Sequence, residues 1–240
     1  MNKVIVFITA LALVIMLLLT AASQAIFADM GYYRSEFEKY SVTDNIDMKM
    51  DDIMYVMDEL MDYLHGDREN LDNIVTDVNG ERKDFFSERE KSHMADCKEI
   101  FDKAFLIRKI CAVIFAVITA VLIALKKFDI KELFKAAGAV AIVISAVAGV
   151  IGLAASNDFN RCFILFHKLF FDNDLWLLDP DKDLIINILV EPFFGDMAAR
   201  IAVYCTVVLI VLIITVVGIN ISDKKRRNYD NSVKNTENNR

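Results

Sequence analysis

The sequence predicts an all-α membrane protein, with four transmembrane helices and an outer, mostly helical domain that contains a small β-hairpin. Three observations carry this expectation. Four apolar runs long enough to cross a bilayer occur within 240 residues. Hydrophobic residues make up 55% of the chain, and only two prolines interrupt it, a balance suited to helices packed in lipid rather than to a loop-rich soluble domain. A bilayer takes about 20 apolar residues to cross, because a helix satisfies its own backbone polar groups there.

The first run, Val4 to Phe27, carries no charge. Ser23-Gln24-Ala25 resembles a cleavage site, but the apolar stretch exceeds the roughly 7 to 15 residues of a signal core, so it is expected to be an anchor. The second run, Ile110 to Leu125, is shorter, and Arg108, Lys109, Lys126 and Lys127 flank it with stems that can snorkel. Ala136 to Ser156 and Ile201 to Ile221 complete the set. The expected spans are therefore 1–27, 110–125, 136–156 and 201–221.

Direction follows from basic residues near span ends. Lys126, Lys127, Lys131 and Lys135 mark 126–135 as a cytoplasmic loop, and Lys224 to Arg227 mark 222–240 as a cytoplasmic tail. That tail is polar and is expected to lack fixed structure. Both termini of this multi-pass cell-membrane protein are then expected in the cytoplasm, and segments 28–109 and 157–200 on the extracytoplasmic side. All three histidines fall in those outer segments. The net charge of -7 is unevenly spread and does not suit a nucleic-acid partner.

In the third span, Ala137, Ala141, Ser145 and Gly149 form a four-residue stripe of small side chains, the pattern that lets helices approach closely in lipid. Outside the spans, Ile46, Met50, Ile53, Met57, Leu60 and Leu64 recur at helical steps, with Thr43 as the expected N-cap and Gly66 as the stop. The methionines in this stripe are expected to be core. Asn79-Gly80 between two short β-prone stretches predicts a hairpin. From Phe85 a second helix is expected to run towards the second span, with Phe86, Glu90, His93, Cys97, Phe101 and Phe105 near one face.

Beyond the third span, Phe159, Phe163, Phe166, His167 and Phe170 predict an aromatic helix, and Trp176, Phe193 and Phe194 add interfacial aromatics. Asp179-Pro180 marks a turn, Asp183 to Val190 a short helix, and Pro192 its expected end. None of the four cysteines forms a C-x-x-C pair, so neither a zinc ribbon nor a thioredoxin-like motif is present. Whether Cys97 and Cys162 pair is left open by the sequence.

His93 sits on a mostly apolar stripe, either as a core histidine satisfied by Glu90 or Asp96 or as a functional group. His65, just before Gly66, suits a helix C-terminus and its dipole. Phe86-Ser87-Glu88-Arg89-Glu90-Lys91-Ser92-His93-Met94-Ala95-Asp96 and Phe166-His167-Lys168-Leu169-Phe170-Phe171, followed by Trp176 and Asp183-Leu184-Ile185, resemble the lipoprotein intramolecular transacylase family of Gram-positive bacteria. The likeness extends to the four-span layout. Two departures accompany it: His65 matches no motif position, and Cys97 stands where an aliphatic residue is expected.

The resemblance implies an enzyme that moves the sn-2 acyl chain of a diacylglyceryl-modified N-terminal cysteine to that cysteine's own amino group, giving a lyso-form lipoprotein. It implies His93 and His167 as the catalytic pair, diacylglyceryl-modified lipoproteins in membrane lipid as substrates, and no cofactor. The chemistry suits histidine. An α-amino group has a pKa of about 7.7 to 8.0, and an imidazole near 6.5 can take its proton while a second, protonated ring donates to the departing glycerol oxygen. Because amine and ester share one molecule, alignment supplies rate, with effective molarities of roughly 10⁵ to 10⁸ M in favourable cases.

Arg89 is the candidate for stabilising the oxyanion or gripping a polar group, Asp96 or Glu90 for orienting His93, and Trp176 and Asp183 for binding or orienting substrate. No residue is assigned to a resident metal. One alternative is a metal-dependent membrane hydrolase with His93, Asp96 and His167 as ligands. Another is a non-enzymatic receptor or assembly factor whose acidic outer domain binds a protein.

Overall fold

The computed structural model of the chain describes residues 2–238. Four helices in it are long and apolar enough to cross a membrane, as the sequence predicts. These are α1 (Lys3–Phe27), α5 (Glu88–Ala124), α6 (Ile130–Asn157) and α9 (Glu191–Asn238). Between α1 and α5 come α2 (Met30–Lys39), α3 (Val42–Asn45), α4 (Met50–His65), β1 (Val75–Val78) and β2 (Glu81–Asp84). Between α6 and α9 lie α7 (Phe159–Phe170) and the single turn α8 (Ile185–Ile188).

The chain divides into two compact units. One comprises the chain up to Leu18, Arg108–Gly149 and the chain from Cys205. Its buried centre joins Ala10 and Val14 of α1 to Leu133, Ala137, Val140 and Ala141 of α6 and to Leu209 and Leu212 of α9. Three of these eight are alanines, Ala10, Ala137 and Ala141, and small side chains of this kind let helix backbones approach closely where lipid supplies no hydrophobic drive between them. Ala137 and Ala141 of the predicted stripe are fully buried, whereas a Cβ at Gly149 would meet nothing within 4 Å.

The tightest approach falls instead at Gly138, where a Cβ would lie 2.6 Å from Cγ2 of Val216. Valine in a helix is held to one rotamer and cannot swing aside. Gly138→Ala is therefore expected to lower stability by about 1 kcal/mol, despite alanine's better helix propensity. Thermal unfolding in detergent measures this, and a raised midpoint would refute it.

The second unit comprises Leu19–Ile107 and Val150–Tyr204. Its core gathers Tyr33 and Phe37 of α2, Ile53, Val56, Met57 and Leu60 of α4, Ile74 and Val78 at the hairpin, Phe85 and Phe86, and Ile185 and Ile188 of α8. Met57 is fully buried, so the methionine stripe is core as expected. Gly66 ends α4 at a φ of 100°, a left-handed conformation that glycine adopts without a Cβ clash, and its N–H donates to the Asp62 and Tyr63 carbonyls.

The start of α4 differs from expectation. Thr43 does not cap it; Thr43 lies inside the one-turn α3, and α4 opens after Lys49. Val42, Ile46 and Met48 are all buried, and reaching their places requires an extended link, with Ile46 at φ -142°, ψ 127°. The hairpin forms as predicted, pairing Val75 with Asp84 and Val78 with Glu81. Asn79 (φ 55°) and Gly80 (φ 76°) supply the two left-handed residues that its turn demands.

Pro192 begins a helix rather than ending one, since it stands in the first turn of α9. Its missing N–H costs nothing where that group has no intrahelical partner. The polar tail also departs from expectation, because α9 continues through residues 222–238 as a helix. A helix already nucleated extends by one hydrogen bond per residue ordered, and Asp223 anchors its first tail turn by accepting from Lys131 and Lys135. Residues 239 and 240 of that tail lie outside those described.

Candidate active site

Within the second unit, α5 and α7 bring His93 and His167 together. Their ring centroids are 6.0 Å apart with 34° between planes. His93 is 5% exposed and His167 8%. Aromatic rings enclose them: Phe171 packs edge-on to His93 at 5.2 Å, Phe163 lies 4.3 Å from the His167 ring, and Trp176 stacks on it at 4.9 Å and 32°.

Asp158 caps α7 by accepting from the Arg161 N–H. Nδ1 of His167 lies 2.8 Å from the Phe163 carbonyl one turn back. A carbonyl only accepts, so Nδ1 carries the proton, and Nε2, which has no hydrogen-bond partner among the described residues, holds the lone pair. On His93, Nε2 is 3.7 Å from Sγ of Cys97, and Nδ1 is buried without a partner.

Burial sets the charge of this pair. It holds the His93 pKa down to about 4, with the neighbouring His167 adding to the effect, and it lowers His167 as well. Desolvation disfavours the imidazolium. Burial therefore favours the neutral form of both rings.

A pH dependence follows. The folded state lowers the His93 pKa from 6.5 to about 4, so its contribution to stability is present above 6.5 and lost as pH falls through 4. Relative to His93→Phe, the wild type is expected to lose up to about 3 kcal/mol across that window. Stepwise thermal unfolding in detergent checks this, and parallel curves for the two proteins would refute it.

The acidic residues expected to orient His93 do other work. Ser87 and Glu90 form a capping box at the start of α5: the Ser87 N–H donates to Glu90 Oε2 at 2.6 Å, and the Glu90 N–H donates to Ser87 Oγ at 3.2 Å. Glu90 Oε1 also accepts the Ile185 N–H at 2.7 Å, and this fully buried carboxyl has its pKa raised, chiefly by desolvation. Asp183 accepts from Ser87 Oγ and from the Asp179 N–H, both at 2.9 Å. Asp96 accepts from Asn173 Nδ2 at 2.9 Å.

Arg89, the candidate for the oxyanion, donates instead to the carbonyls of Asp174 and Leu177. Arg89, Glu90, Asp96 and Asp183 therefore all fasten the 171–185 connection, which carries Phe171 and Trp176, to α5. Phe163, Phe171, Asn173 and Ser87 join the site without having been assigned a role in it; the first two and Ser87 figured only as members of the aromatic helix and the two motifs. Of these, only the S-x-x-E spacing of Ser87 and Glu90 could have been read in advance.

His65 does not join them. Its Nδ1 is 2.6 Å from Asp67 Oδ2, and its ring packs on Phe27 and Phe105. It closes α4 as the sequence suggests. Cys97 and Cys162 are both free thiols. With Asp96 turned to Asn173 and His167 Nδ1 to a carbonyl, the ligand set weighed for zinc does not converge. Among the described residues no three His, Cys, Asp or Glu are grouped to hold a metal.

The chain matches the family described as Lipoprotein intramolecular transacylase Lit over residues 7–194. It is similar in fold to the solved lipoprotein intramolecular transacylase Lit from Bacillus cereus, at 23% identity and a TM-score of 0.77, covering 95% of this chain and 98% of that one. A form of that protein with a histidine replaced by alanine matches at 23% identity and a TM-score of 0.72, covering 95% and 96%. A histidine-to-arginine form matches at 22% and 0.72, covering 95% of each chain. No curated protein matches the chain.

Proposed function

Because this chain belongs to the lipoprotein intramolecular transacylase family, we propose that it moves the sn-2 acyl chain of a diacylglyceryl-modified N-terminal cysteine onto that cysteine's α-amino group, leaving a lyso-form lipoprotein. The observation that carries the proposal is a pair of buried imidazoles 6.0 Å apart, each with one ring nitrogen that has no hydrogen-bond partner among the described residues.

His167, whose Nδ1–H is spent on Phe163, offers Nε2 as the base. The amine nitrogen attacks the ester carbonyl, and His167 takes a proton from it as the C–N bond forms. The same ring returns that proton to the glycerol oxygen as the C–O bond breaks. Atoms and charge balance without an external donor, and no cofactor is invoked. His93 makes the second polar contact, to the ester. The aromatic walls keep water from the acyl carbon.

The substrates are diacylglyceryl-modified lipoproteins within membrane lipid. Both termini are assigned to the cytoplasm, and 28–109 and 157–200 to the outer side, on the support of the basic residues at 126–135 and 224–227.

A synthetic lipopeptide with acyl chains of different length at sn-1 and sn-2, given to the purified full chain in nanodiscs, tests the reading. Mass spectrometry is expected to find the sn-2 chain as an amide and the sn-1 chain still esterified. Unchanged diacyl peptide, or release of free fatty acid, would refute it.

A further inference from the structure

Cys97 lies one turn after His93 on α5, with Sγ 3.7 Å from Nε2 of that imidazole. The other ring nitrogen, Nδ1, is buried and unpartnered, on a side chain 95% removed from solvent. Such groups are rare in folded proteins and mark places where a polar atom of a ligand completes the bonding. What Nδ1 can offer depends on where the ring's one proton sits, and the partner of Nε2 decides that.

That partner is a thiol. A thiol donates weakly and accepts more weakly, whereas the bare nitrogen of an imidazole is a good acceptor. The favoured pairing therefore runs from S–H to the Nε2 lone pair, which leaves the proton on Nδ1. Charge transfer between the two is opposed on both sides. Burial pushes the Cys97 thiol up to about 12, and the same burial disfavours the imidazolium, so a thiolate-imidazolium pair does not form.

We propose that Cys97 is a positioning residue: its S–H donates to Nε2 of His93, fixes the Nδ1–H form of the ring, and so reserves Nδ1–H as a neutral donor to the ester oxygen when that oxygen gains negative charge. The identity of the acceptor rests on the acyl transfer proposed above, while the position of the proton does not. A neutral donor fixed in a dry site needs no reorganisation as charge develops on that oxygen. The two histidines then divide the labour, with His167 moving the proton and His93 keeping its own.

Nuclear magnetic resonance of the full chain in nanodiscs with ¹⁵N-labelled histidine reads the proton directly. The His93 signals are identified by their loss in His93→Gln. Nε2 is expected to appear unprotonated and Nδ1 protonated at neutral pH. Cys97→Ser should preserve that pattern, and Cys97→Ala should shift it towards Nε2–H. In single turnovers with the lipopeptide, Cys97→Ala is expected to slow acyl transfer roughly 10- to 100-fold, and Cys97→Ser to recover most of the rate. Infrared spectra of the wild type should show a hydrogen-bonded S–H stretch that moves in His93→Phe, a reading that stands even if Cys97→Ala fails to fold.

A proton on Nε2 in the wild type would overturn the proposal. So would a Cys97→Ala variant with unchanged tautomer and rate, or one whose tautomer shifts while its rate holds. Correct tautomers in a wild-type protein that transfers no acyl chain would instead refute the proposed function and leave the thiol's role intact.

Discussion

Alanine in place of His93 or of His167 is expected to abolish accumulation of the lyso product, each change slowing the chemical step by about 10²- to 10⁴-fold. On the proposed mechanism, His167→Ala removes the ring lone pair assigned to accept the amine proton, and His93→Ala removes the ring beside it. On that mechanism the two act on one transition state, so the double variant should be little worse than either single one. His65→Ala should leave most conversion in place, since that ring is committed to Asp67, Phe27 and Phe105. Mass spectrometry of a reporter lipoprotein's N-terminal peptide, from cells carrying each variant, reads all four outcomes. Full conversion by either of the first two would end the assignment.

Glu90→Ala is expected to cost about 4 kcal/mol of stability, although Glu90 is assigned no contact with substrate. Two backbone N–H groups, those of Ser87 and Ile185, end on its carboxyl oxygens, and each buried donor left unsatisfied costs about 1–3 kcal/mol. The capping box at the head of α5 is lost with it. Glu90→Gln keeps one carbonyl oxygen and should fall between the two. Thermal unfolding in detergent measures the ranking. A Glu90→Ala protein as stable as the wild type would mean that the 171–185 connection is held by something other than this carboxyl.

The elements legible in the sequence are those whose cause is local. Apolar length gave the spans, the 3.6 periodicity gave the α4 stripe, and Asn79-Gly80 gave the hairpin, because each depends on residues within a few positions of one another. The two histidines were legible through their flanking motifs and the resemblance those motifs carry. What the sequence could not assign are roles set by distant partners. Glu90 and Asp96 are three residues from His93 and within its reach on a helix, yet Glu90 accepts from Ile185 and Asp96 from Asn173.

The Pro192 misreading has the same root. A proline after an apolar run suits a helix end and a helix start equally until the packing of α8 and α9 is known. Thr43 departs for a second reason. The core claims Val42, Ile46 and Met48, and a helix continuous through them would turn one of the three outwards.

Phe171, 7% exposed and in ring contact with both imidazoles, helps to shield them from solvent. A catalyst that handles esters near water ordinarily risks becoming a lipase, discarding a fatty acid at each failed encounter. On the proposed reaction the substrate that enters this aromatic shell brings its own amine with it, which makes nitrogen the nucleophile at hand. Fidelity between amide formation and hydrolysis would then come from who is admitted to the chamber, with no discrimination needed at the carbonyl.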